Sequence, residues 1–236
     1  MDWNAELLES AKMGNAKKVK ECLANGANIE STDENGNTAL MWVCFGDYFG
    51  EEDNYLSVAK VLLKNGANLN TNNGSSTALH TAIQEGNIKI AKFLIDNGIN
   101  MEVSDNEGKT PLILAADFEQ IEILRHIIER GVEIDSKDDW GWSALMWSAF
   151  WGNIEAVKLL VENGANIDAR DKYGYTALMI ATNGSGDNLE VVKYLVQNGA
   201  NINAKNNEGK TALMEARNNN AVAEYLIKCG ANAKSL

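Results

Sequence analysis

The sequence predicts an all-α fold, with about seven helix–turn–helix units stacked into one solenoid. Three observations lead there. A glycine that closes an apolar helix recurs at Gly26, Gly66, Gly98, Gly131, Gly164, Gly199 and Gly230, at steps of 40, 32, 33, 33, 35 and 31 residues. A residue able to open a helix recurs at Thr38, Thr77, Thr110, Ser143, Thr176 and Thr211, each followed by Ala or Pro and then Leu. Between these marks, apolar residues fall at helical spacing on stretches too short to bury their own stripe, so each unit needs a similar unit beside it.

The fifth unit, Asp138–Ile167, shows how one copy is written. Trp140-Gly141-Trp142 forms a turn in which Gly141 can take a positive φ. Ser143 is expected to cap the next helix with its hydroxyl. Ala144 to Trp151 makes a short helix with Leu145 inward, and small residues (Ala144, Ser148, Ala149) for close packing. Gly152-Asn153 breaks it. Ile154, Val157, Leu160 and Val161 form the apolar stripe of a second helix, which Asn163-Gly164 closes with a left-handed cap.

The period near 33, the openings Thr77-Ala78-Leu79-His80 and Thr110-Pro111-Leu112-Ile113, and the Gly-Ala endings resemble the ankyrin repeat. The resemblance covers residues 2–233, and the Asn-rich wording is similar to bacterial arrays. It implies a short β-hairpin finger, an inner helix and an outer helix in each repeat. It also implies a curved solenoid with a concave groove, and a non-enzymatic role in protein–protein interaction.

The chain is expected to be a single domain, 1–236. An N-terminal cap at about 1–32 carries two helices, near Asn4–Met13 and Asn15–Ala24. Leu7, Leu8 and Ala11 face inward from the first, and Val19, Cys22 and Leu23 from the second. The repeat at about 33–70 is seven residues longer than the period, and the excess falls in Phe45–Asn54. There Phe45, Tyr48 and Phe49 make a secondary candidate loop for binding, unless they fold back on Trp42 and Tyr55. The repeat at about 71–103 is one residue short at its finger. The repeat at about 104–136 is the most regular, with the only proline, Pro111, at a first helical position. The repeats at about 137–169 and 170–204 follow, the latter with two extra residues in Asn183–Asp187. A cap at about 205–236 is expected to end the stack.

Composition bounds the function. A net charge of −12 and a pI near 4.7 argue against nucleic acid or an anionic membrane as partner. No run reaches membrane length and no signal peptide is visible, so a cytoplasmic location is expected. Cys22, Cys44 and Cys229 lie far apart and read as free, mostly buried thiols. His80 and His126, the only histidines, read as structural. There is no phosphate loop and no metal-ligand cluster. Asp135–Gly141 is similar to a calcium loop only superficially, because the later Glu is missing. No cofactor is expected, and the chain is read as no enzyme.

In ankyrin proteins, partners usually meet finger residues beside the turn glycine and the exposed end of the inner helix. The matching positions here are Asp139, Trp140, Trp142, Phe150 and Trp151, then Tyr173 and Tyr175 in the next repeat and Phe118 in the previous one. Trp140 and Trp142 are expected to share one face, and Trp147, Phe150 and Trp151 another. Trp147 fits packing between repeats. Glu107 and Asp139 give an acidic rim. Large aromatics at exposed positions cost solubility unless a partner covers them, and Trp and Tyr dominate interface energy. The expectation is a monomeric scaffold that binds a protein on this groove. The alternatives are a small molecule or carbohydrate on the same rings, or self-association.

Overall fold

The computed structural model describes residues 2–46, 52–184, 188–216 and 219–232. The chain divides into two compact units, Met1–Asn106 and Glu107–Leu236. The first holds α1 (Trp3–Lys12), α2 (Ala16–Ala24), α3 (Ala39–Cys44), α4 (Glu52–Lys64), α5 (Ala78–Gln84) and α6 (Ile88–Asp96). The second holds α7 (Pro111–Asp117), α8 (Ile121–Ile128), α9 (Ala144–Trp151), α10 (Ile154–Glu162), α11 (Ala177–Asn183), α12 (Leu189–Gln197), α13 (Ala212–Glu215) and α14 (Asn220–Lys228). Within each unit the odd-numbered helices pack side by side as one layer and the even-numbered helices as another.

The core lies between the layers. Leu7, Val19, Met41, Leu62, Leu79 and Leu94 are buried in the first unit, and Leu112, Ile123, Leu145, Leu160, Leu178 and Leu195 in the second. Each such side chain removed from water contributes about 1.5–3 kcal/mol. On α10 the buried set is Ala156, Val157, Leu159 and Leu160, so the stripe sits slightly off the expected one; Ile154 and Val161 are half-buried.

Thr38, Thr110 and Thr176 cap their helices as the sequence implies, accepting from the N–H of Met41, Ile113 and Met179 at 3.3–3.4 Å. At Thr77 the cap is completed by His80, whose Nδ1 accepts the Thr77 N–H at 3.2 Å. Ser143 departs from expectation. Its backbone has the dihedrals of a cap, φ −90° and ψ 169°, but its hydroxyl makes no capping bond and is buried without a partner. Backbone conformation, imposed by the finger before it, starts this helix.

A second capping device was not read from the sequence. Asn15, Asn87, Asn153 and Asn219 each accept a backbone N–H three residues on and so open the outer helices. A glycine precedes the first three. In the fourth repeat Glu119 holds that place with φ 55°, the one non-glycine at positive φ among the described residues.

The fingers are tight turns rather than strands. Only the single bridges Thr32–Thr38 and Asn72–Thr77 pair in the antiparallel manner among the described residues. In the second repeat α4 begins at Glu52, so the last three residues of the Phe45–Asn54 stretch belong to the outer helix where the sequence suggested loop. Phe45 packs on Trp42 with ring centroids 4.9 Å apart, and Tyr55 is buried with its hydroxyl on the Lys12 carbonyl at 3.0 Å. That is the folded-back arrangement for Phe45; Tyr48 and Phe49 lie outside the described residues. Cys22 and Cys44 are buried free thiols, whereas Cys229 is exposed, because it sits past the last turn of α14 as its cap.

Candidate partner-binding site

Three fingers of the second unit are built alike, and the first two carry candidate residues. Each opens on an Asp or Asn whose Oδ1 accepts two backbone N–H groups. Asp138 takes those of Trp140 and Trp142 at 2.9 and 2.8 Å, and Asp171 takes those of Tyr173 and Tyr175 at 2.8 Å each. Asn206 does the same for Glu208 and Lys210. Consecutive fingers are bonded through the backbone: Asp139 N–H to Glu107 O at 3.0 Å, Lys172 N–H to Trp140 O at 3.4 Å, Asn207 N–H to Tyr173 O at 2.9 Å. Gly141 is needed at this junction. Its φ is +85°, and a Cβ there would stand 2.9 Å from the Lys172 nitrogen. The residues two and four beyond each Asp are therefore held at fixed positions, and these are Trp140, Trp142, Tyr173 and Tyr175.

Trp140 and Trp142 both meet Trp147, at ring-centroid distances of 6.5 and 4.7 Å. Phe150 completes the cluster, 5.6 Å from Trp142 and 6.2 Å from Trp147. Trp151 touches Phe150 at 4.9 Å.

Carboxylates tie down three of the four indoles. Trp142 Nε1 donates to Asp171 at 3.1 Å, Trp147 Nε1 to Asp138 at 2.8 Å and Trp151 Nε1 to Asp117 at 3.0 Å. Tyr175 donates its hydroxyl to Glu215 at 3.1 Å. Burial raises the Tyr175 hydroxyl above its usual range, and the bond to Glu215 adds to the rise. With their polar tips fixed, the rings lose rotamer freedom before any ligand arrives.

Between the fingers of the fifth and sixth repeats lies an open pocket of about 430 Å³. Trp140, Trp142, Trp147, Phe150, Tyr173 and Tyr175 line it, with Asp171. The sequence reading missed Met179, Ile180 and Asn183, which also line it, from α11. They stand on the inner helix of the repeat next to the aromatic one. Trp151, Phe118 and Asp139 are outside the lining. Relative exposures are 45% for Trp140, 65% for Tyr173, 37% for Trp151 and 43% for Phe118.

Lys109 stands behind this cluster. Its amine lies 4.5 Å from the Trp147 ring centroid and 5.5 Å from that of Trp140. It is paired with Asp117 at 2.8 Å and Glu107 at 2.9 Å. Burial pulls its pKa down, but the two carboxylates outweigh that and hold it above the ordinary lysine value. Glu107 is thus half of a buried lysine's ion pair as well as part of the rim. Asp139, exposed, takes the Lys172 amine on its carbonyl.

Among the described residues no group of three or more His, Cys, Asp or Glu could hold a metal ion. Among the described residues, too, no helix is long and apolar enough to cross a membrane. The arrangement offers apolar ring faces, fixed dipoles and negative charge. It offers no nucleophile paired with a base.

Helix pairs joined by tight turns, with finger stacked on finger, define a helical repeat protein. The chain belongs to the ankyrin repeat family: the family's description, Ankyrin repeats (3 copies), matches residues 7–105, 50–138, 122–206 and 171–235. The crystal structure of the human ASB11 ankyrin repeat domain is similar to it, with a TM-score of 0.80 at 26% identity, over 96% of this chain and 98% of that one. Ankyrin repeat and SOCS box protein 11 of Danio rerio is 32% identical over 111 residues, 47% of this chain and 36% of that protein. The putative E3 ubiquitin-protein ligase XBAT34 of Arabidopsis thaliana is 32% identical over 114 residues, 47% of this chain and 29% of that protein. The matched region thus spans about a third of these curated relatives. The fold is a non-enzymatic interaction module in its general use, and protein partners are what ankyrin repeats generally bind.

Proposed function

We propose that this chain is a protein-binding scaffold whose partner seats on the aromatic groove of the second unit. Trp140, Trp142, Phe150, Tyr173 and Tyr175 form the centre, Trp151 and Phe118 the flank, and Asp139 the acidic rim. The observation that carries this reading is the combination of exposed ring faces with anchored ring edges. Trp140 and Tyr173 stand open to solvent, while Trp142, Trp147, Trp151 and Tyr175 have their polar tips spent on carboxylates. A surface so ordered binds with little further loss of side-chain entropy. The net charge of −12 favours a neutral or basic protein over nucleic acid. The exposed thiol of Cys229 fits a reducing compartment such as the cytoplasm. The working form is a monomer.

The test uses the two most open rings, because Trp142 and Trp147 are also built into the scaffold. Trp140→Ala combined with Tyr173→Ala is expected to weaken capture of a partner from source lysate by about 30-fold or more. Unfolding stability is expected to stay within about 0.5 kcal/mol, as for other surface changes. Capture unchanged by the double variant removes the proposal. A pocket of about 430 Å³ is also the size of many small-molecule sites, so glycans and small ligands are titrated in parallel through tryptophan emission. Light scattering over a concentration series checks the monomer. Association that the double variant abolishes moves the reading to self-association.

A further inference from the structure

We propose that the pocket between Trp140–Trp142 and Tyr173–Tyr175 recognises a quaternary ammonium head, carried by the partner as a trimethylated lysine. The proposal rests on the groove reading above and names the group that enters the groove. The walls favour a cation. Trp140, Trp142, Phe150, Tyr173 and Tyr175 surround the opening, and an aromatic face attracts a positive charge within about 6 Å of its centroid. The indole N–H of Trp142 donates to Asp171 and that of Trp147 to Asp138. Donation to an anion pushes electron density into a ring and strengthens its negative face. The field agrees. Asp171 is itself part of the lining, Asp138 holds the Trp147 indole and Glu215 holds the Tyr175 hydroxyl. The lining contains no lysine or arginine.

Hydrogen-bond capacity decides which cation. A carboxylate offers about four lone-pair sites. Asp138 uses three, on Trp140 N–H, Trp142 N–H and Trp147 Nε1. Asp171 uses three, on Tyr173 N–H, Tyr175 N–H and Trp142 Nε1. A primary ammonium or a guanidinium would give up water for its N–H groups and find few acceptors in return, which is costly. A trimethylammonium has no N–H to satisfy and keeps its full charge. Lys109 supplies the contrast inside the same unit. Its amine also lies over Trp147 and Trp140, and it is held by two dedicated carboxylates, Asp117 and Glu107. The open pocket has no such pair to give.

The surroundings favour a peptide over a free small ligand. The apolar surface continues from Phe150 to Trp151, in ring contact at 4.9 Å, and Phe118 is exposed on the adjoining repeat. Residues flanking a methylated lysine would cover these rings, whereas a free choline-type molecule leaves them bare.

The experiment titrates the full chain with three degenerate peptide pools, read by calorimetry. One has a central trimethyl-lysine, one lysine, and one the neutral carbon isostere of the trimethylammonium. Choline and 3,3-dimethylbutan-1-ol are run beside them. The trimethyl-lysine pool is expected to bind about tenfold or more tighter than either twin. Tyr173→Ala is expected to weaken it by about 2- to 30-fold, the span of an aromatic–cation contact. Equal binding of the carbon isostere overturns the choice of a cation and leaves the groove reading standing. Choline binding as tightly as the peptide pool overturns the peptide source. Absence of binding by every ammonium probe at millimolar concentration overturns the proposal. Loss of the groove reading itself would show separately, as lysate capture that ignores the double variant.

Discussion

Trp42 in the first unit and Trp147 in the second occupy the same place, and only one of them belongs to a candidate site. Each stands nine residues after the Asp that opens its finger and donates its indole N–H to that Asp's Oδ2, at 3.0 Å for Asp33 and 2.8 Å for Asp138. Each lies under a lysine amine, Lys12 at 4.1 Å and Lys109 at 4.5 Å from the ring centroid. The surroundings differ. The first finger reads Asn35-Gly36-Asn37 and the later one Trp140-Gly141-Trp142, followed by Tyr173-Gly174-Tyr175. The shared part is therefore scaffold: a carboxylate that closes the turn and braces an inner-helix indole. What distinguishes the second unit is the aromatic content of its fingers. Trp147 is the hub on which those rings rest, and its own role is the same as that of Trp42.

The largest effect expected from this equivalence is on stability. Trp42→Ala and Trp147→Ala should each cost about 2–4 kcal/mol, near the lower end of large-to-small changes because both rings are only half-buried. Denaturant unfolding of the two variants measures it. Similar losses sustain the equivalence. A Trp147→Ala protein as stable as wild type would break it and return Trp147 to the binding surface.

Next in size is the carboxylate. Asp33→Asn and Asp138→Asn keep an oxygen for the backbone N–H groups but can set an amide N–H against the indole N–H. A loss of about 1–2 kcal/mol is expected for each. Asp33 adds a pH signature. Burial pushes its carboxyl up, but bonds from Asn37, Asn35 and Trp42 outweigh that and hold it below the usual carboxylate range. A depressed folded pKa gives stability that is present above about pH 4, the unfolded value, and is lost as pH falls through the folded value. Asp33→Asn should flatten that acid limb, which unfolding curves between pH 2 and 6 would show. An acid limb as steep as in wild type would mean that Asp33 does not couple to folding.

Much of this was legible in the sequence, for physical reasons that vary by residue. The glycine and Thr-x-Leu steps fixed the repeat because turn and cap residues answer to local backbone needs. Trp140, Trp142, Phe150, Tyr173 and Tyr175 were readable as one group because the repeat carries each position onto its neighbour. The Asp-to-Trp spacing of nine was also on the page, at Asp33–Trp42 and Asp138–Trp147, and would have marked Trp147 as scaffold. The direction of the rings was not readable. Trp151 and Trp142 leave the same repeat toward opposite neighbours, Asp117 and Asp171, and that choice depends on carboxylates 34 and 29 residues away. Ser143 was misread because a cap sequence specifies the dihedrals but not the hydroxyl rotamer. Met179 and Ile180 were missed because ordinary core-type residues carry no local mark of lining a pocket.

The smallest effect sharpens the comparison at the finger position four residues after the Asp. Asn37 there accepts from Asn73 Nδ2 at 2.7 Å, and Tyr175 donates to Glu215 at 3.1 Å, so both units tie this position to the next repeat. Tyr175→Phe removes the tie and keeps the ring. It should cost about 1 kcal/mol, one net hydrogen bond. Its pH dependence has the opposite sign to that of Asp33. A raised folded pKa gives stability that is present below about pH 10, the unfolded tyrosine value, and is lost as pH climbs through the folded value. The stability difference between wild type and Tyr175→Phe should therefore hold steady near neutrality and shrink above pH 10. A difference that stays constant through pH 11 would show that the hydroxyl contributes through packing alone. The tie to Glu215 would then have no counterpart to the bond that holds Asn37.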